Sequence, residues 1–391
     1  MSLSGLTVGV VFGSRSVEHE ISIITACQAM PVLSQLGAEV VPVYITKTGR
    51  WLHRPEFAEL GAFRGQLPEA GLAVELDLDR GRLRTAASSR LGRPRDLGVD
   101  VLLPCLHGTF GEDGSLAGLA EIARLPQVGS PTLAAALAMD KLRSKQLWQS
   151  CGLPVLPGRA AASLAQAGAA ARELGYPVVV KPNRGGSSIG VAVVVEEAGL
   201  EAAVELALSF DEQVVLEPAV PGAVDLNCAV KRQSPRASAV ERPLKPGQLL
   251  SYQDKYLTKG RLEPGKGVGP EATPAKGAYP DPRRELPARI ADDLRDRVQA
   301  LAVKAYDALG CAGAARVDFL CSDQGQLYLN EVNTIPGSLA FYLWQASGIG
   351  FPELLEELVR EAVEAGDRRQ LVLAGNLLLP TEKIGEAVPG A

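Results

Sequence analysis

Aromatic residues are scarce in this chain, 5% of 391 positions, although 46% of it is apolar. So little ring mass beside so much Ala, Leu, Val and Gly argues against a β-sandwich and for sheets packed by helices. Cysteines number six, at positions 27, 105, 151, 228, 311 and 321, without a C-x-x-C pair. They read as reduced core residues rather than a disulfide framework or a zinc site. Positive charge is not in excess: the formal charge is −5 and the pI near 5.5. The chain therefore has no overall attraction for nucleic acid or anionic lipid, and any phosphate must be met by a few placed cations. No apolar stretch approaches the ~20 residues that a membrane span needs, and the sequence opens on a strand without a basic leader. A cytoplasmic protein with no nucleic-acid or membrane partner is expected. The G-x-x-x-x-G-K spacing of a Walker loop is missing as well.

This length predicts more than one domain. Strands at residues 6–12, 40–45 and 99–106 alternate with a helical stretch over 21–36, a pattern that predicts a parallel sheet with helices on both faces. Ligands gather at the carboxyl ends of such strands, where segments 13–20 and 107–114 lie. A helix over 138–150 stops at Gly152 and Pro154. Strands at 177–181, 191–195, 214–217 and 226–231, with helices at 164–174 and 198–208, predict a small α+β unit. Residues 260–287 hold many Gly, Pro and Lys with almost no periodicity and read as a lid. A helix follows with Ile290, Leu294, Val298, Leu301, Ala305 and Leu309 on one face, ending at Gly310. The expected units are residues 1–138, 139–232 and 233–365, the last carrying a lid at 251–287. A tail over 366–391 contains one apolar run, 371–379, and has no assigned role.

Two segments carry chemistry. Lys181-Pro-Asn-Arg-Gly-Gly-Ser-Ser-Ile-Gly190 runs from a strand-ending lysine through a Gly/Ser loop to another strand. Its glycines and hydroxyls supply close backbone approach and successive N–H donors, the ingredients of a phosphate-covering nest; an ordinary hairpin is the plainer alternative. In Arg316–Gly337, Ser322–Gly325 reads as a four-residue turn pairing Cys321 with Gln326. Asp318 then lies opposite Leu329 and diagonal to Glu331, on one face with Arg316 and Asn333, while Val317, Phe319, Tyr328 and Val332 point into the core. Oxygen donors without His or Cys suit Mg²⁺, and the arginine implies an anion beside it; a solvated hairpin face is the alternative. Weaker signals are Ser14–Glu20, His107-Gly108 with Glu112-Asp113-Gly114, Met139-Asp140-Lys141, and Asp254-Lys255-Tyr256, each of which alone suits a structural role.

Taken in this order, these segments resemble the D-alanine–D-alanine ligase family of the ATP-grasp superfamily, from about Val8 to Leu354. The resemblance implies an α/β fold, with an N-terminal parallel-sheet domain before a two-part ATP-grasp unit. It also implies ATP, two Mg²⁺ ions with Mn²⁺ as a substitute, small amino-acid substrates, a homodimer, and a place in peptidoglycan precursor synthesis. On it, Lys141 and Lys181 contact ATP phosphates under the Ser187–Ser188 loop, Glu217 binds the adenine amine, and Asp225 stands where the family usually has a ribose-binding Glu. Asp318, Glu331 and Asn333 match the metal ligands, and Arg316 with the Gly337 backbone the oxyanion groups. Glu18 matches the receiver of the first substrate's ammonium, linked through Ser187 to Tyr256 on the lid. His107 lies near that substrate, and Lys255 belongs to the lid. Two departures stand out. The segment after Tyr256 is about twenty residues longer than in short members, and Tyr342-Leu343 replaces a Ser-Leu pair whose serine holds the second substrate's carboxylate. Rival expectations are a ligase with another acceptor, including a hydroxy acid, and a nucleotide-binding regulator without turnover.

Overall fold

The computed structural model describes residues 2–86, 93–244 and 284–366. In chain order the elements are β1 (Thr7–Gly13), α1 (His19–Gln35), β2 (Glu39–Ile45), β3 (Trp51–His53), β4 (Leu72–Asp77), β5 (Arg82–Thr85), β6 (Arg95–Asp96), β7 (Val101–Pro104), α2 (Ser115–Ala123), α3 (Thr132–Met139) and α4 (Lys141–Ser150). They continue with β8 (Arg159–Ala161), α5 (Leu164–Leu174), β9 (Val178–Pro182), β10 (Ala192–Val194), α6 (Leu200–Leu208), β11 (Val214–Pro218), β12 (Val224–Val230) and β13 (Ala237–Pro243). The last are β14 (Arg284–Glu285), α7 (Asp292–Leu309), β15 (Ala315–Cys321), β16 (Leu327–Asn333), α8 (Phe341–Gln345) and α9 (Phe351–Gly366).

The first sheet has the order β6-β5-β4-β3-β2-β1-β7. It is parallel across β7, β1 and β2, as the alternating pattern predicts, but β3 to β6 extend it in antiparallel fashion. The parallel part expected from the strands at 6–12, 40–45 and 99–106 is present, and four strands that the sequence reading did not place extend it. Antiparallel neighbours need only short turns, and strands of two to six residues are too brief to show alternation. Both faces are covered. Ile23, Ala26, Met30 and Leu33 of α1 pack with Val8, Val10 and Phe12, while Leu116 and Ala120 of α2 pack with Val11, Val41 and Val43. Leu354, Leu355, Leu358 and Val359 of α9 join the α1 face, so the last described helix closes back onto the first sheet.

The second sheet, β10-β9-β11-β8, is antiparallel and carries α5 and α6. The third, β14-β13-β12-β15-β16, is antiparallel and rests on Val298, Ala302, Ala305 and Leu309 of α7 and Trp148 of α4. Strand β12 belongs to this third sheet, a correction to its expected place in the small unit. Its Leu226, Cys228 and Val230 face the same core as Val317 and Phe319, and that burial decides the partner. The helix expected over 138–150 is two helices: Asp140 turns extended (φ −86°, ψ 102°) and caps α4 by accepting from the Arg143 N–H at 2.9 Å. Of the six cysteines, four are buried, Cys27 is half-buried and Cys151 is exposed, so the expected core role does not extend to Cys151.

The β15–β16 register also differs from the expected one. The Ser322 N–H donates to Gln326 O, so Cys321 pairs with Leu327. A bulge follows, after which Asp318 pairs directly with Glu331, Val317 with Val332 and Arg316 with Asn333. The expected inward Tyr328 is half-buried, while Leu327 and Leu329 are fully buried in its stead. A bulge opposes two residues to one. Asn330 and Glu331 therefore share the polar face, and Leu329 and Val332 both reach the core.

Candidate active site

The lysine end of the site is assembled by Asn183. Its carbonyl accepts from the Lys141 N–H at 3.1 Å and its Oδ1 from the Leu142 N–H at 3.0 Å, satisfying donors at the start of α4 that no helix carbonyl can reach. This brings Met-Asp-Lys and Lys-Pro-Asn together. Lys141 Nζ donates to Gly185 O at 2.6 Å and lies 3.6 Å from Glu331 Oε2. Lys181 Nζ donates to Glu217 Oε2 at 2.9 Å and to Asn330 Oδ1 at 3.1 Å. Glu217 is 2% exposed, and its other oxygen lies 3.1 Å from Lys145 Nζ. Burial alone would raise the Glu217 carboxyl, but the Lys145 and Lys181 ammoniums outweigh it and hold the carboxyl below its ordinary range. Burial pulls Lys145 down. Three ammoniums thus meet two carboxylates, an arrangement with cationic surplus where an anion can settle.

The acid face sits beside them. Arg316 donates from Nε to Asp318 Oδ1 at 2.6 Å and from Nη2 to Oδ2 at 2.7 Å, and Asn333 Nδ2 reaches Asp318 Oδ2 at 3.1 Å. Burial would lower the guanidinium, yet the two-pronged Asp318 contact drives it well above its usual value. Among the described residues no group of three or more His, Cys, Asp and Glu assembles. Asp318, Glu331 and Asn333 offer only oxygens toward a cation, which fits Mg²⁺ or Mn²⁺ completed by ligands from outside the protein. Asp225 lies on the same face of β12 as Asn227, which pairs with Asp318.

At the other end the Gly/Ser loop meets the first domain. Ser187 Oγ donates to Glu18 Oε1 in a short contact between residues 169 apart in sequence. Ser187 and Ser188 adopt left-handed backbone (φ 54° and 58°). Gly186 permits the approach, since a Cβ there would stand 2.8 Å from Glu18 Oε2. His107 Nε2 is 2.8 Å from Thr25 Oγ1, and burial lowers the imidazole to about 4, so it is neutral. Glu112 accepts from the Gly108 N–H at 2.9 Å and the Ile335 N–H at 3.2 Å. It thereby ties the first domain to the segment preceding Gly337. Burial, then the neighbouring Glu18, push the Glu112 carboxyl up to about 8. His19, by contrast, is a core residue held by Ser14 O at 2.6 Å and Tyr44 Oη at 3.0 Å.

Tyr342 donates from its hydroxyl to Glu241 Oε2 at 3.2 Å, on the Arg316 side of the sheet. Leu343 is fully buried in the first-sheet core, so only its backbone can meet a ligand. Lys255, Tyr256, the lid and the tail lie outside the described residues. Lys145, Asn330, Glu241 and Arg284 adjoin the candidate site without having been singled out from the sequence, while Glu112 stood among the weaker signals and Asn183 in the Lys181 segment. Lys145 alone carried a usable signal, lying one helical turn after Lys141 and so on its face.

Family models described as D-ala D-ala ligase N-terminus and D-ala D-ala ligase C-terminus match residues 7–130, and 147–266 with 278–360. The chain belongs to this ligase family. It is accordingly an enzyme of the ligase class. The D-alanine–D-alanine ligase of Mycolicibacterium vanbaalenii is 38% identical over 389 residues, 92% of this chain and 98% of that protein. D-alanine–D-alanine ligase A of Escherichia coli K12 is 35% identical over 377 residues, 92% of this chain and 96% of that one. Among solved structures, the VanG D-Ala:D-Ser ligase from Enterococcus faecalis matches with TM-score 0.74 and 28% identity, covering 91% of this chain and 99% of that chain. The D-alanine–D-alanine ligase from Coxiella burnetii matches with TM-score 0.71 and 25% identity, covering 92% and 94%. Within the family the match spans both the Glu18 and the Arg316–Asn333 ends of the site. No helix among the described residues is long and apolar enough to cross a membrane.

Proposed function

We propose that this chain joins two D-alanines into D-alanyl-D-alanine at the expense of ATP, as a cytoplasmic homodimer supplying peptidoglycan precursors. The observation that carries it is the Glu18–Ser187 bond, which links the first domain to the Gly/Ser loop beside the lysine cluster. Glu18 receives the ammonium of the first D-alanine, leaving that substrate's carboxylate directed at the γ-phosphate. Lys141 and Lys181 hold the phosphates, with Asn330 and Glu217 aiming Lys181. Asp318, Glu331 and Asn333 hold Mg²⁺, which when bound neutralises phosphate charge. The substrate carboxylate attacks the γ-phosphorus of ATP and ADP leaves, giving an acyl phosphate; the free amine of the second D-alanine then adds to its carbonyl carbon, and phosphate departs carrying the amine's proton as the amide forms. Arg316 and the Gly337 N–H stabilise the oxyanion of that addition.

The test is purified protein with ATP, Mg²⁺ and equal D-alanine and D-lactate at pH 7, with ADP release followed and products resolved by mass. D-alanyl-D-alanine with little ester is expected. Predominant ester would make the protein a depsipeptide ligase, and no ADP release with either acceptor would overturn the proposed activity.

A further inference from the structure

The turn after β16 has an uncommon backbone. Ser338, Leu339 and Ala340 are all left-handed, with φ 53°, 51° and 52°, although none is glycine. L-residues enter this region singly and at a cost, so three in succession persist only where their surroundings hold them. Leu339 and Ala340 are buried in the core shared with Ile23 and Met30 of α1. Two polar contacts from the first domain flank Gly337. On one side Glu112 Oε1 accepts from the Ile335 N–H at 3.2 Å, and on the other Thr25 Oγ1 accepts from the Ser338 N–H at 3.1 Å. A Cβ at Gly337 would meet no atom within 4 Å, so the backbone between these anchors faces open space.

Thr25 is 1% exposed on α1, and its hydroxyl has two partners among the described residues, the Ser338 N–H and His107 Nε2 at 2.8 Å. The amide can only donate. A buried hydroxyl proton needs an acceptor, and Nε2 is the one in reach. Burial keeps the imidazole neutral, with a single ring proton, which is then on Nδ1. The ring also hydrogen-bonds the Ile335 backbone in a sense that favours protonation, as a donation from Nδ1 to the carbonyl does. One hydroxyl thus joins α1, the end of the first sheet and the turn after β16. Ile335 is held through both its N–H and its carbonyl, Ser338 through its N–H, and Gly337 lies between them.

We propose that Thr25 is a positioning residue, whose hydroxyl accepts from the Ser338 N–H, donates to His107 Nε2, and so aims the Gly337 N–H at the carbonyl that the second amine attacks. This rests on the ligase activity proposed above. Without the hydroxyl the buried Ser338 N–H has no acceptor, and the turn can recover one only by moving. That movement takes the Gly337 N–H off the place where the oxyanion forms. Transfer of the γ-phosphoryl group, held by Lys141 and Lys181, does not use this donor. Thr25 therefore acts on the second step and leaves the first alone.

The experiment quenches single turnovers of ATP, Mg²⁺ and D-alanine on wild type, Thr25→Val and Thr25→Ser, and measures ADP and dipeptide separately. Valine keeps the branched shape and removes the hydroxyl. Thr25→Val should slow dipeptide formation about tenfold or more, with the rate of ADP formation and the KM for ATP unchanged. Thr25→Ser should restore most of the dipeptide rate. A merely structural hydroxyl would slow both steps alike or neither, and either result overturns the proposal. A second measurement needs no variant: ¹⁵N NMR of the wild type with its three histidines labelled. His107 should carry its proton on Nδ1 at pH 7, and a proton on Nε2 overturns the proposal even if Thr25→Val does not fold. If wild type releases no ADP with D-alanine, the ligase activity fails by itself, and the NMR result then decides the Thr25 assignment.

Discussion

At the scale of single residues, the lysine end contains a ranking that binding measurements can check. Lys181 meets phosphate directly in the proposed mechanism, whereas Asn330 only steers it through a neutral contact of 3.1 Å. Lys181→Ala should cost roughly 1.5–3 kcal/mol of ATP binding and Asn330→Ala about 0.5–1.5 kcal/mol. Calorimetry with the two variants gives the order, and a larger effect from Asn330 would reverse the roles. Glu112 supports a second prediction. Burial and the neighbouring Glu18 push its carboxyl up to about 8, so it is expected to take up a proton within the neutral range. An ammonium arriving at Glu18 stabilises both carboxylates, so D-alanine binding should release up to about one proton per site. Titrations in buffers of different ionisation enthalpy measure this. Glu112→Gln should bind without the release, and equal release in both would sink the assignment.

At the scale of elements, two local irregularities build the site. The bulge in β16 puts Asn330 and Glu331 side by side on the polar face. The spacing of Leu327, Leu329 and Val332 breaks strict alternation and so hinted at it, but a four-residue turn satisfied the pattern equally well. The Gly/Ser loop is the other. Its left-handed Ser187 and Ser188 follow Gly186, where any side chain would press on Glu18 Oε2 at 2.8 Å. Gly186→Ala should push the loop away from the first domain. Because Lys181 is held by Glu217 and Asn330, outside the loop, kcat should fall about tenfold or more while ATP affinity falls less. Steady-state kinetics beside calorimetry check it; equal losses of both would mean that the loop acts on ATP alone.

At the scale of the molecule, stability should depend on pH through His107. Its folded value is about 4 because burial penalises the charged ring, against an ordinary 6.5. Between those values the unfolded chain binds the extra proton, so this contribution is complete above pH 6.5 and is lost as pH falls toward 4, about 3 kcal/mol in all. Thermal unfolding of wild type and His107→Asn across that range should show the wild type losing more stability on acidification. Parallel curves would show that His107 does not titrate there. The sequence by itself determined the α/β class, the extents of α5 and α7 to within a residue or two, and the nearness of Arg316, Asp318, Glu331 and Asn333 on one hairpin, whereas a place for Lys141 and Lys181 beside them was implied only by the family resemblance. Local periodicity and donor chemistry are properties of neighbouring residues, and short segments carry them. Tertiary structure alone decided that β12 pairs with β15, that Asp318 faces Glu331, that Glu217 holds two lysines, and that Tyr342 spends its proton on Glu241 beneath Arg284. Those pairings join residues far apart in the chain, and they are selected by the burial of whole faces and by charges that must find partners out of water.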